Sequence, residues 1–217
     1  MVAYQLLKKS VPMLYIKLHE SSPNRRDVRR LVDILKKDGV IACPTDSSYA
    51  LICALDAKAP VERIRKLRHL DKKHHFSLFC RDFSHLSQYA VVNNQQFRWL
   101  KAHLPGPYTA ILPATSSVPR RLMHKSRQTI GLRIPNHGVL QALLEEMGDA
   151  LMGVSFILPG ALWPVYDVSD VQPKFLNLLD AVVESTVPST EPTSVIDLTE
   201  DYPEIIRQGQ GDDLLNL

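Results

Sequence analysis

The sequence predicts an α/β protein built on a twisted, mixed β-sheet with helices packed against it. Three observations lead there. Short apolar runs of strand length alternate with segments whose apolar residues recur at helical spacing. The two kinds of segment do not follow a regular strand-helix-strand repeat, which argues against an all-parallel sheet. The 217 residues are 45% hydrophobic, enough apolar surface for one sizeable core, and the length alone allows one domain or two.

The elements follow in order. Ser22-Pro23 predicts a helix start, with Ser22 as N-cap and Pro23 at the first helical position. Val28, Leu31, Val32 and Leu35 form the inward face of that helix, and Gly39 closes it. Arginines and lysines cover much of its remaining surface, as on a solvated face. Val40 to Cys43 reads as a buried strand stopped by Pro44, and Tyr49 to Ala54 as a second. A helix over about 60–70 turns Val61, Ile64 and Leu67 inward. Phe76 to Cys80 is a short strand. Phe97, Leu100 and Leu104 mark a helix ended by Pro105-Gly106-Pro107. Thr109 to Leu112 and Thr129 to Ile134 are strands. Leu140, Leu143, Leu144 and Met147 give a helix stopped by Gly148. Leu151 to Ile157 is strand-like, Pro173 to Val183 helical at first, and 184–193 a polar surface loop. Ser194 to Leu198 and Ile205-Ile206 are late strands.

Charge is distributed unevenly. Residues 161–217 hold two basic residues against eleven acidic ones, whereas residues 1–160 hold twenty-four against twelve. A basic body suggests an anionic partner; neutralisation of one part by the other within the fold explains it equally. No run of about 18 apolar residues is present, so no membrane span is expected. Lys8 and Lys9 interrupt the apolar N-terminal stretch, so no signal peptide is expected. Cys43, Cys53 and Cys80 lie in apolar runs, as buried reduced thiols of a cytoplasmic protein do.

Four stretches could carry chemistry. Pro44-Thr45-Asp46-Ser47-Ser48-Tyr49 bunches polar side chains at a strand end, where α/β sheets place ligands; a plain turn is the other reading. Arg63 to His75 clusters Arg63, Arg65, Lys66, Arg68, Lys72 and Lys73 with three histidines, which suits phosphate or a solvated face. The histidines lack acidic or cysteine ligands at matching spacing, so no metal site is expected. Arg120, Arg121, His124, Lys125 and Arg127 precede the strand carrying Arg133. Arg133 stands in an otherwise apolar strand, and a buried arginine needs a partner, either a carboxylate or a ligand. Ser155 ends an apolar run before Pro159-Gly160, without the Gly-x-Ser-x-Gly setting of a serine nucleophile.

At these same segments the chain resembles the YrdC-like family. The match runs over about residues 14–211, which implies a single domain spanning residues 1–217. It is carried by Gly39-Val40-Ile41-Ala42-Cys43-Pro44-Thr45-Asp46-Ser47-Ser48-Tyr49, by Pro105-Gly106-Pro107-Tyr108-Thr109, and by Thr129-Ile130-Gly131-Leu132-Arg133-Ile134-Pro135. Ser155 to Gly160, Pro192 to Leu198 and Ile206-Arg207-Gln208-Gly209 continue it. Phe76 to Asp82 and Leu158-Pro159-Gly160 look most like the YciO branch.

The resemblance implies a twisted sheet around a positively charged cavity. It implies ATP as a substrate, with magnesium on the triphosphate, and condensation of threonine, bicarbonate and ATP into threonylcarbamoyl-AMP for tRNA modification. Its alternative is a non-catalytic protein that binds tRNA or double-stranded RNA. Thr45, Tyr49, Arg68, Thr109, Arg133, Ser155 and Arg207 match the family's substrate- and nucleotide-binding positions. The basic residues Arg65, Lys66, Lys72, Lys73, Arg120, Arg121 and Lys125 are the expected RNA contacts. Three positions depart from the synthase residue pattern: Arg68 stands where synthases carry a lysine, Leu70 where they carry an arginine, and Ile157 where they carry an asparagine. Losing such a donor costs about a hundredfold or more in rate, which predicts weakened synthase chemistry.

Overall fold

A computed structural model describes residues 12–71, 74–124, 126–200 and 202–211. Its ten strands form one mixed sheet, as the interleaved sequence pattern predicts. In chain order they are β1 (Leu14–Lys17), β2 (Ile41–Cys43), β3 (Ala50–Ala54), β4 (Ser77–Phe79) and β5 (Tyr108–Pro113). β6 (Thr129–Arg133), β7 (Leu151–Ser155), β8 (Ala181–Glu184), β9 (Ser194–Asp197) and β10 (Glu204–Arg207) follow. Across the sheet the order is β1-β8-β2-β3-β7-β4-β6-β5-β9-β10. β4 runs parallel to β6 and β5 to β9, while β3–β7, β4–β7 and β5–β6 are antiparallel.

Alternation along the strands sorts side chains onto two faces. Cys53, Met152, Leu78, Leu132 and Ala110 stand in successive cross-strand register on one face. There they pack against Ile64 of α2 (Lys58–Arg68), Leu86 of α3 (Phe83–Tyr89) and Leu100 of α4 (Asn94–His103). The other face is covered over only part of its width. Ile41, Ile52 and Leu151 lie under Leu31 and Leu35 of α1 (Arg25–Lys36) and Leu140 and Leu144 of α5 (Gly138–Met147). These leucines are wholly buried, and each contributes about 1.5–3 kcal/mol through its loss of water contact. Beyond β7 the same face continues through Gly153, Ser77, Gly131 and Ile111, and there the α1–α5 layer ends.

Some elements differ from the sequence reading. The first helix is capped by Asn24, not Ser22: the Asn24 carboxamide oxygen accepts the Arg26 N–H at 2.9 Å. Ser22 instead closes a turn, its N–H donating to His19 O, so the helix begins two residues later. β1 and α3 were not legible as separate elements. α6 (Pro173–Leu176) is a single turn before β8. Among the described residues no helix is long and apolar enough to cross a membrane. The three cysteines are unpaired and buried, and burial pushes their thiols up, Cys53 to about 12. They are poor nucleophiles.

Candidate functional site: a cavity lined by arginines

Where the α1–α5 layer ends, the exposed sheet face lines a cavity of about 240 Å³. Five strands line it, with Ser77 and Phe79 of β4, Thr109 and Ile111 of β5, Gly131 and Arg133 of β6, Gly153 and Ser155 of β7, and Val195 of β9. Space is kept by small residues. A Cβ on Gly153 would fall 2.4 Å from Phe79 Cε2, a contact no side chain tolerates without displacement.

Three guanidinium groups from distant parts of the chain meet there. Arg68 comes from the last turn of α2, Arg133 from β6 and Arg207 from β10. Each is anchored on one side. Arg68 Nε donates to Ile157 O at 3.2 Å, and Arg207 Nε and Nη2 donate to Thr193 O at 3.1 and 2.8 Å. Arg133, only 5% exposed, is paired with Asp46: Nη2 lies 2.6 Å from Oδ1. Asp46 Oδ2 also accepts the Asn136 N–H at 2.9 Å. The Arg133 guanidinium sits 5.0 Å over the Phe79 ring. Its Nε is buried with no hydrogen-bond partner among the described residues.

The electrostatics of the site favour an anion. Arg127, His74, His75 and His124 also line the cavity, and no described lining residue is a carboxylate. Burial lowers the Arg68 pKa to about 10, which still leaves it charged at neutral pH. Burial and then the charge of Arg133 push Arg207 down. Burial also pushes Arg133 down, and Asp46 works against it. Cations that lower one another's pKa are stabilised together by an anion between them. Thr109 and Ser155 add hydroxyls; Thr109 Oγ1 lies 3.0 Å from Thr193 Oγ1. Ser155 has no base in hydrogen-bond contact among the described residues.

The other expected residues lie elsewhere. Thr45 is fully buried, its Oγ1 donating to Ser48 O at 2.7 Å and accepting the Ser47 N–H at 3.1 Å, so it shapes the loop that carries Asp46. Tyr49 is buried in the core, with its hydroxyl donating to Ser185 O at 2.9 Å and accepting the Ser185 N–H at 3.0 Å. Neither lines the cavity. Ile157 does line it, whereas Leu70 packs at the edge of the core. Arg65 turns inward, over the Phe76 ring at 5.1 Å and onto Asp71 O. Lys66 and Arg120 are exposed, and Arg121 reaches Leu55 O and Asp56 at 3.4 Å. Lys72, Lys73 and Lys125 lie outside the described residues.

The sequence reading placed Asp46, Arg127 and the cavity histidines within candidate stretches but singled out none of them as a site residue. Asp46 had a readable signal, being the one acidic side chain between two apolar strands, as Arg133 is the one cation of its strand. Arg127 and His124 carried only the weaker signal of a basic cluster.

Comparison with known proteins places these features in a family. The Sua5/YciO/YrdC family model, described as telomere recombination, matches residues 33–209. The protein YciO of Escherichia coli (strain K12) is 42% identical over 195 residues, covering 90% of this chain and 95% of that protein. A crystal structure of E. coli YciO superposes with a TM-score of 0.88, over 92% of this chain and 97% of that one. The threonylcarbamoyl-AMP synthase of Idiomarina loihiensis is 32% identical over 165 residues, covering 74% of this chain and 87% of the synthase. The crystal structure of P. abyssi Sua5 complexed with L-threonine shares the fold. Its TM-score is 0.83 at 22% identity, over 91% of this chain and 58% of Sua5.

Proposed function

We propose that this chain, which belongs to the Sua5/YciO/YrdC family, holds the polyphosphate of ATP or a related nucleotide between Arg68, Arg133 and Arg207. One observation carries this reading: three guanidinium groups from α2, β6 and β10 face one cavity that no described carboxylate lines. Arg68 and Arg207 are anchored through some of their N–H groups, which fixes their planes and leaves the remaining donors for a ligand. Donors fixed before the ligand arrives need little reorganisation when charge develops.

The chemistry proposed for the site is that of the synthases: transfer of the adenylate of ATP to a carbamoylated threonine, with loss of pyrophosphate. Relatives carrying the synthase name at 32% identity support it. Ile157 weighs against full activity, because an apolar side chain stands on the cavity wall where the synthase pattern has an amide. Among the described residues no three His, Cys, Asp or Glu side chains gather to hold a metal. Magnesium would therefore be carried by the triphosphate oxygens.

Isothermal titration with magnesium-ATP, followed by a pyrophosphate-release assay with threonine and bicarbonate, tests both parts. Saturable ATP binding that Arg207→Ala weakens supports the reading. Equal heats from the protein and from buffer alone would remove it. Binding without pyrophosphate release would keep the nucleotide site and discard the synthase step.

A further inference from the structure

The mouth of the cavity carries a histidine that anchoring a phosphate on three arginines does not use. His75 lies in the segment between α2 and β4 and lines the cavity. Its ring stacks on His124 from the β5–β6 connection, with centroids 5.0 Å apart and planes 30° apart. His124 is held in turn: its Nδ1 accepts the Arg127 N–H at 3.2 Å and lies 3.3 Å from the Ser126 hydroxyl. His75 makes no side-chain hydrogen bond to any described residue. Its ring nitrogens are available, and its stacking partner is fixed.

The charges that face His75 come from every side. Arg65 acts from α2, Asp71 from its own segment, and His124 and Arg127 from the β5–β6 connection. His74 is its chain neighbour, and Arg68, Arg133 and Arg207 line the same cavity. The carboxylates beside these groups are already engaged: Asp71 Oδ1 accepts the His74 N–H at 2.8 Å, Glu62 pairs with Arg65 at 3.6 Å, Asp197 with Arg127 at 2.8 Å and Asp46 with Arg133 at 2.6 Å. A proton on His75 therefore adds charge to a cationic cavity. Desolvation, followed by His124, Arg65 and Arg127, holds its pKa below the ordinary histidine value, and Asp71 only partly opposes them.

We infer that His75 is a proton-gated phosphate ligand: when an anion occupies the cavity mouth, His75 takes a proton from solvent and donates a hydrogen bond to it. This rests on the cavity being an anion site, and it specifies how that site responds to pH. The sign follows from linkage. A bound anion raises the proton affinity of His75, so binding takes up a proton and tightens as the pH falls through the bound-state pKa. The gain levels off below the free-state value. One unit of separation between the two is tenfold in affinity.

The test measures ATP affinity from pH 8 to pH 5.5 for the wild-type protein and for His75→Gln; the difference cancels the titration of ATP itself. Histidine ring signals in NMR spectra, assigned through the same variant, read the His75 pKa with and without ligand. The expected result is a wild-type affinity that gains about tenfold more than that of His75→Gln toward low pH, with the His75 pKa raised by about one unit when ATP binds. Parallel pH profiles, with a His75 pKa that ATP leaves unmoved, would overturn the inference while leaving ATP binding intact. Inorganic sulfate, which does not titrate in this range, is the second probe. If ATP does not bind but sulfate raises the His75 pKa, the proton-gated site stands and the nucleotide reading falls. If neither probe moves it, both fall.

Discussion

Asp46 Oδ1 and Arg133 Nη2 lie 2.6 Å apart, with both side chains about 95% removed from solvent, and the pair joins the β2–β3 loop to β6 at the cavity wall. Breaking a buried pair from one side leaves a charge without a partner, which costs about 3–5 kcal/mol. Asp46→Ala should therefore lower the unfolding free energy by about that much in urea titrations. Adding Arg133→Met should recover most of the loss, because the methionine can lie on Phe79 without demanding a counter-charge. An Asp46→Ala variant of unchanged stability would show that the pair does not hold the loop.

Arg207 and Arg68 should behave differently from Arg133. Among the described residues neither is paired with a carboxylate; backbone carbonyls anchor both. Arg207→Ala and Arg68→Ala should each weaken ATP about 10- to 100-fold, the span of a charged hydrogen bond, with little change in stability. Arg207→Lys should restore only part of the affinity, because lysine cannot place two donors on Thr193 O while presenting a third. Titration calorimetry and thermal melts on the same samples check both halves.

Two of the departures from the synthase pattern, those that lost a polar donor, can be reversed. Ile157→Asn puts an amide on the cavity wall, and Leu70→Arg returns a cation to the end of α2. The double variant should release pyrophosphate from ATP, threonine and bicarbonate about tenfold or more faster than the parent, given what one lost donor costs. An unchanged rate would mean that these two positions are not what sets the activity.

Gly153 should tolerate nothing larger. Its missing Cβ is what lets the Phe79 ring lie under Arg133. Gly153→Val should cost about 1–3 kcal/mol and weaken ATP together with stability, because the displaced ring takes Arg133 with it. Chemical denaturation and ATP titration should move together in this variant, whereas in Arg207→Ala only the titration should move.

Much of this was legible in the chain. Apolar runs bounded by proline and glycine located most strands, because strand burial demands them. Arg133 declared itself as a cation in an apolar strand, and it proved to have both a carboxylate partner and a place on the cavity. β1 was not legible, since Leu14–Lys17 is edge-like and only Ile16 within it is buried. Thr45 and Tyr49 show the limit of residue type as a guide. Residue type left their hydroxyls open to a ligand or to a turn; Thr45 donates to Ser48 O within its own loop and Tyr49 to Ser185 O. The pairing of His75 with His124 was out of reach, because it depends on two loops meeting across the sheet.

A crystal structure grown with a non-hydrolysable ATP analogue and magnesium tests the central claim most directly. The polyphosphate should lie in the cavity, its oxygens within about 3 Å of donors on Arg68, Arg133 and Arg207. An analogue bound elsewhere on the surface, with the three arginines still on their own anchors around an unfilled cavity, would contradict it.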